Sequence, residues 1–244
     1  MARRRSNLFF AAMGMVFLAV AVMGFGPSFL FPVFGGNLDF PLYVFFHAAV
    51  MFGWLVLFIA QALLASRGPS RAHRIMGQAS LVLIAAIMVS AVTASITGFL
   101  RDLPQPVERL LDNIFFLQLW AFILTPLLYW LAYRARRRRP EHHMRYMTLL
   151  TFFLVEAAAS RIDFLPGMQD DALFIYAQYF YLDLLLIPLV LFDWKTLGRI
   201  SPATIRGCTL IFGYQIIAMI VWDSDGWIAA SDGIDVFLRS FWPT

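Results

Sequence analysis

The chain has 244 residues, of which 61% are hydrophobic and 14% charged, and a formal net charge of +4. A soluble domain carries nearly twice that charged fraction, so a water-soluble enzyme is excluded. The apolar residues fall in blocks of about twenty, which match roughly 30 Å of hydrocarbon at 1.5 Å per helical residue. No soluble segment remains, and residues 1–244 read as one transmembrane domain, an all-α polytopic helix bundle.

The predicted spans are 8–33, 41–65, 76–99, 113–133, 146–165, 172–192 and 207–222, about seven in all. The first follows Arg3, Arg4 and Arg5 and lacks a small-residue cleavage site, so it reads as an uncleaved span. Gly24, Gly26 and Pro27 predict a kink or unwinding at its outer end, and it is the only span expected to be broken. The seventh is short, and a full span is preferred over a re-entrant segment. Residues 226–241 predict an amphipathic surface helix with Trp227, Ile234, Phe237 and Trp242 near the interface.

Orientation follows from the basic residues. Fifteen lie on one side: Arg3 to Arg5, then Arg67, Arg71, Arg74, Arg134, Arg136 to Arg139, Arg145, Lys195, Arg199 and Arg206. Arg101, Arg109, Arg161 and Arg239 lie on the other. The positive-inside rule places the rich side in the cytoplasm, the N-terminus inside and the C-terminus outside. The expected location is the bacterial cytoplasmic (inner) membrane. The lipid bilayer is the first partner, with anionic lipids meeting Arg134 and Arg136 to Arg139 at about 1 kcal/mol per basic residue. A nucleic-acid role needs a folded domain around that cluster, and the sequence has none.

Ionisable groups within spans are costly and count as functional candidates. Spans five and six are joined by a short loop, so Glu156 and Asp183 fall at one depth, about 15 Å below the outer surface. Arg161 and Gln178 fall about 8 Å in, and His47 about 9 Å in. The predicted ligand-binding set is therefore His47, Glu156, Arg161, Gln178 and Asp183, lining a polar cavity that opens outward. Two carboxylates at one depth share a proton, flank a cation, or each find a donor such as Arg161, Tyr179 or Ser160. Gln61, Trp54, Gln78, Asn113, Gln118 and Gln215 are expected to form interhelical hydrogen bonds or interface anchors.

No serine or cysteine stands in a nucleophile setting, and no catalytic residue is assigned. Cys208, the only cysteine, reads as a packing residue. Retinal chemistry is excluded because Lys195, the only lysine, lies at a helix end rather than within a span. His73 and His143 each open a span beside an arginine on the cytoplasmic side. They form the alternative metal or haem site, with haem b the cofactor it would take; bis-histidine ligation through His47 fails on depth.

Several motifs together carry a resemblance. They are Phe25-Gly26-Pro27-Ser28-Phe29-Leu30, the His47/Trp54/Gln61 spacing, His73-Arg74-Ile75-Met76-Gly77, His143-Met144-Arg145-Tyr146-Met147, then Arg161, Asp183, Asp193 and Pro202-Ala203-Thr204. In that order the chain resembles a family of uncharacterised multi-pass bacterial inner-membrane proteins, over nearly its whole length. The resemblance implies no activity. Glu156 stands where that family often has proline, and Ser201 where it often has histidine, so the carboxylate pair departs from the pattern. A fainter similarity to cytochrome b561-type proteins lies in the His47/Trp54/Gln61 span followed by His73-Arg74, and it implies haem.

Three functions are carried forward. The first is binding of a small ligand, ion or lipid in the outward layer. The others are a redox role with haem or quinone, and an accessory subunit packing on membrane-complex partners.

Overall fold

The computed structural model describes residues 2–68, 70–104 and 107–242, with side chains from residue 7 onward. The side chains of Arg3, Arg4 and Arg5 lie outside it. The regular structure of the described residues is all helical, with no strand. α1 (Ala2–Phe25) continues through a π-helical turn (Gly26–Leu30) into α2 (Phe31–Phe34). α3 (Leu42–Ser66), α4 (Arg71–Phe99) and α5 (Val107–Arg138) follow, then α6 (Pro140–Leu154) and α7 (Glu156–Ala159). The chain ends with α8 (Phe174–Leu184), α9 (Ile187–Leu197), α10 (Pro202–Val221) and α11 (Asp225–Arg239).

Six stretches are long and apolar enough to cross a membrane: Asn7–Phe34, Leu42–Ser66, Arg71–Phe99, Val107–Arg138, Phe174–Leu197 and Pro202–Val221. They fit a multi-pass membrane protein. Their outer faces carry exposed aliphatic residues such as Val56, Val82, Val89 and Ile220. In water such surface would be unfavourable; against lipid it costs nothing.

The segment expected as the fifth span takes a different form. α6 is the centre of the bundle, touching α1, α3, α5 and α10, and Thr148, Leu149, Leu150, Thr151 and Phe152 are wholly buried. It stops at Leu154, one residue before Val155 breaks the ladder ahead of α7. No proline or glycine marks that break. Instead the Thr148 and Thr151 hydroxyls donate back to the Met144 and Met147 carbonyls at 2.9 and 2.8 Å, a geometry that bends helices.

A second break separates α8 from α9 at Leu185 and Leu186. Pro188 has no N–H to return to the carbonyl four residues earlier, which is Leu184. The expectation that only the first span is interrupted is therefore corrected: three are. Two of the breaks adjoin Glu156 and Asp183 in the chain.

Gly24, read in the sequence as part of a kink, has another use. A Cβ there would overlap the Ala158 carbonyl oxygen, so α1 and α7 meet backbone to backbone. The Gly24→Ala variant is expected to lose about 1–3 kcal/mol of stability. Thermal unfolding in mild detergent checks this, and an unchanged midpoint would show that the two helices can separate freely.

α11 forms close to the expected range and is half docked. Trp227 is buried, packs on Phe116 at 5.0 Å between centroids and donates from Nε1 to the Asp112 carbonyl at 3.1 Å. Ile234 and Trp242 join the same cluster, whereas Val236 and Phe237 remain exposed. Arg239 holds this helix down, donating to Asp102 at 2.9 Å, to Asp235 at 2.7 Å and to the Leu100 carbonyl at 3.1 Å. At the same end Arg109 pairs with Asp223.

Candidate functional site

Each of the five residues predicted to form the outward layer takes a partner on its own or a neighbouring helix. His47 on α3 is half-buried, with Nδ1 3.0 Å from the Ser90 hydroxyl on α4. Arg161 is exposed, donates to the Ala157 carbonyl in its own segment, and lies 4.8 Å over the Phe25 ring. Glu156 is buried and accepts from the Tyr214 hydroxyl at 2.8 Å and from Gln178 Nε2 at 3.2 Å. Tyr179 donates in turn to Tyr214 at 3.1 Å. Asp183 is half-buried and accepts from Gln215 Nε2 at 3.0 Å.

Of the three outcomes weighed for the carboxylates, the geometry matches the one in which each has its own donors. Those donors are Tyr214, Gln178 and Gln215 rather than Arg161 or Ser160. These contacts tie α7, α8 and α10 together across the two helix breaks. Tyr214 was missed in the sequence, where its neighbour Gln215 was the available signal.

Toward the arginine-rich end lies a second polar cluster. Asp193 is wholly buried and accepts from Arg145 Nε at 2.7 Å, the Ser201 N–H at 2.9 Å and the Thr204 hydroxyl at 2.6 Å. Arg145 also donates to the Glu141 carbonyl at 2.8 Å and is itself buried. The sequence counted Arg145 among the basic residues of the cytoplasmic side; it is a core residue joining α6 to α9 and α10. Two local signals place its partners. Gly198 ends α9 in the left-handed region at φ +66°, and Ser201 caps α10 through its hydroxyl.

Beside this cluster the bundle holds a half-open cavity of about 950 Å³, the size of a small-molecule site. It begins among the helix ends of α4, α5, α6 and α9 and extends inward to Trp54. Phe10, Trp54, Phe58, Met144, Met147 and Phe192 give it an apolar inner wall. Trp54 is fixed by donating to the Thr151 hydroxyl at 3.1 Å. Arg74, Arg136, Arg137 and Glu141 stand toward its mouth. None of the five predicted ligand-binding residues lines it.

Three side-chain atoms in this wall are buried and have no hydrogen-bond partner among the described residues: Asn7 Oδ1, Gln61 Oε1 and His73 Nδ1. The amide nitrogens of Asn7 and Gln61 are committed elsewhere. Asn7 Nδ2 donates to the Ala65 carbonyl at 2.8 Å and Gln61 Nε2 to the His73 carbonyl at 3.1 Å. Buried polar groups left bare cost about 1–3 kcal/mol each, so three on one wall point to a partner supplied from the cavity.

His73 and His143 line this same cavity, as a shared inner-face site requires. His143 Nδ1 lies 2.9 Å from the Ala132 carbonyl, which leaves Nε2 as the nitrogen able to meet a ligand. Among the described residues, no group of three or more His, Cys, Asp or Glu is placed to hold a metal ion. Asn7 was not singled out in the sequence; a lone asparagine one residue before an apolar run was the signal.

No protein-family model matches the chain, and no curated protein or solved structure is significantly similar to it.

Proposed function

We propose that this chain is a seven-crossing protein of the bacterial inner membrane that binds a small amphipathic molecule in the cavity at its cytoplasmic end. The seventh crossing is α6 with α7, which together cover residues 140–159, about 30 Å of helix. The excess of arginine and lysine at the cavity end supports a cytoplasmic N-terminus and an external C-terminus. Anionic headgroups would meet Arg134, Arg137, Arg138 and Arg139, all exposed.

The observation that carries the reading is the meeting of three unpartnered buried polar atoms with an apolar wall in one cavity. Orientation of an amphiphile follows: the apolar part against Trp54 and Phe58, the polar part among Gln61, His73 and the arginines. The outward layer is assigned a cross-linking role instead, because its members bond one another or neighbouring helices and only Gln178 Oε1 among its described buried side-chain atoms is left without a partner.

A plugging variant tests this. Ala62 lines the cavity and is half-buried, so Ala62→Trp should fill it. Native mass spectrometry of protein purified in mild detergent should show an amphiphile adduct that Ala62→Trp reduces at least tenfold. An adduct of equal occupancy in both proteins would remove the proposal.

The pair of imidazoles on the cavity wall favours a second reading, a redox role with haem b held by His73 and His143. A Soret band in protein expressed with ample haem, lost in both His73→Ala and His143→Ala, would establish it. Protein without that band leaves the amphiphile reading alone.

A further inference from the structure

We infer that the polar part of the ligand carries both a negative charge and free hydroxyl groups, as in a polyol phosphate headgroup on an apolar tail. This rests on the proposed amphiphile site and names the chemistry of its occupant.

The hydroxyls follow from the amides. An asparagine or glutamine side chain offers an acceptor oxygen and a donor nitrogen, and here both nitrogens are spent on backbone carbonyls. Turning either amide over would set oxygen against carbonyl oxygen, so the atoms presented to the cavity are acceptors. Asn7 Oδ1 and Gln61 Oε1 therefore call for donors on the ligand. A phosphate or carboxylate oxygen cannot serve them, and neither can the carbonyl of an oxidised quinone. Hydroxyl groups can. His73 Nδ1 accepts from a hydroxyl or donates to an anion, according to its tautomer.

The charge follows from the mouth. Arg74 and Arg137 are exposed, and their guanidinium groups have no hydrogen-bond or ion-pair partner among the described residues. Arg136 stacks 3.3 Å over the Tyr133 ring and donates to the Tyr133 carbonyl at 2.6 Å, with no carboxylate on it. Glu141 is the one acid among the described lining residues, and the only basic side chain described within ion-pair distance of it is His142, at 4.0 Å. A cationic rim around acceptor atoms suits one head that brings an anion and hydroxyls together. A neutral diol leaves the arginines unused, and a bare phosphate leaves the amides unused.

Three probes with the same dioctanoyl tail separate these features: phosphatidylglycerol, phosphatidylmethanol and dioctanoylglycerol. The first has charge and hydroxyls, the second charge without a free hydroxyl, and the third a hydroxyl without charge. Binding to the full chain in mild detergent is measured for the unchanged protein and for Gln61→Leu, Arg74→Gln and Ala62→Trp. Phosphatidylglycerol is expected to bind about tenfold more tightly than either other probe, as two net hydrogen bonds or one ionic contact would give. Gln61→Leu should reduce that preference to about threefold, since Asn7 Oδ1 still accepts, while leaving phosphatidylmethanol unchanged. Arg74→Gln should weaken both phospholipids and spare dioctanoylglycerol.

Equal binding of phosphatidylglycerol and phosphatidylmethanol to the unchanged protein overturns the hydroxyl inference. If both are still blocked by Ala62→Trp, the amphiphile site itself stands. Binding of no probe, or binding that Ala62→Trp leaves untouched, overturns both. The headgroup comparison needs no variant, so a misfolded Gln61→Leu protein does not shield the inference.

Discussion

Replacing Asp193 with alanine is expected to remove about 3–5 kcal/mol of stability, the usual cost of stripping one partner from a buried ion pair. The loss has three parts. Arg145 is left as a charge that is 2% exposed, with only the Glu141 carbonyl to receive it. The Thr204 hydroxyl and the Ser201 N–H lose their acceptor. The α9–α10 turn then loses the group that ties it to α6.

In a chain of this length the effect is a fall of about 6–20 °C in thermal midpoint. The double variant Arg145→Met with Asp193→Leu should recover much of it, because apolar packing replaces the pair without leaving a bare charge. Scanning fluorimetry in one detergent on the three proteins decides the matter. A single variant as stable as the unchanged protein would mean that water reaches the pair. A double variant no better than the single would mean that the turn, not the charge, carries the effect.

Glu156 gives the second large effect, and the choice of replacement separates its causes. Glu156→Leu leaves the Tyr214 hydroxyl and Gln178 Nε2 without their acceptor in a buried setting. About 1–3 kcal/mol for each donor is the expected loss. Glu156→Gln retains an oxygen that Tyr214 can reach, so it should cost less than half as much. Tyr214→Phe, which also removes the acceptor for Tyr179, should fall between them. If Glu156→Gln proves as damaging as Glu156→Leu, the carboxylate is needed for its charge rather than as an acceptor, and a cation or proton at this level regains its place.

Much of the fold was legible because lipid imposes a simple rule: backbone groups must be satisfied within the helix, so a span announces itself by length and apolarity. Six stretches follow directly from it. The remaining predicted span, 146–165, kept neither its bounds nor its continuity. α6 is the helix that meets little or no lipid, and its threonines bond its own carbonyls, so it stops short and bends where no proline or glycine warns of it. Pro188, by contrast, was a visible signal for the break between α8 and α9.

The polar layer shows where sequence reasoning ends. Depth along a span can be counted, which is why Glu156 was grouped with Asp183 and Arg161 with Gln178. Rotation about the helix axis cannot be counted past a break, and rotation decides whether two carboxylates share a cavity or take separate partners. The cavity was harder still. Its unpartnered atoms come from the start of α1, the end of α3 and the start of α4, and each has an ordinary anchoring role when taken alone. Gln61 and His73 were noted separately; only their placement with Asn7 on one wall makes a site.

The occupant of the cavity is best sought in an experimental density map of the protein in a lipid nanodisc. Elongated non-protein density is expected to run from Trp54 past Gln61 to His73, with its polar end beside Arg74. A cavity holding only water, with ligand density instead among His47, Glu156 and Asp183, would contradict this expectation and return the binding site to the outer half of the bundle.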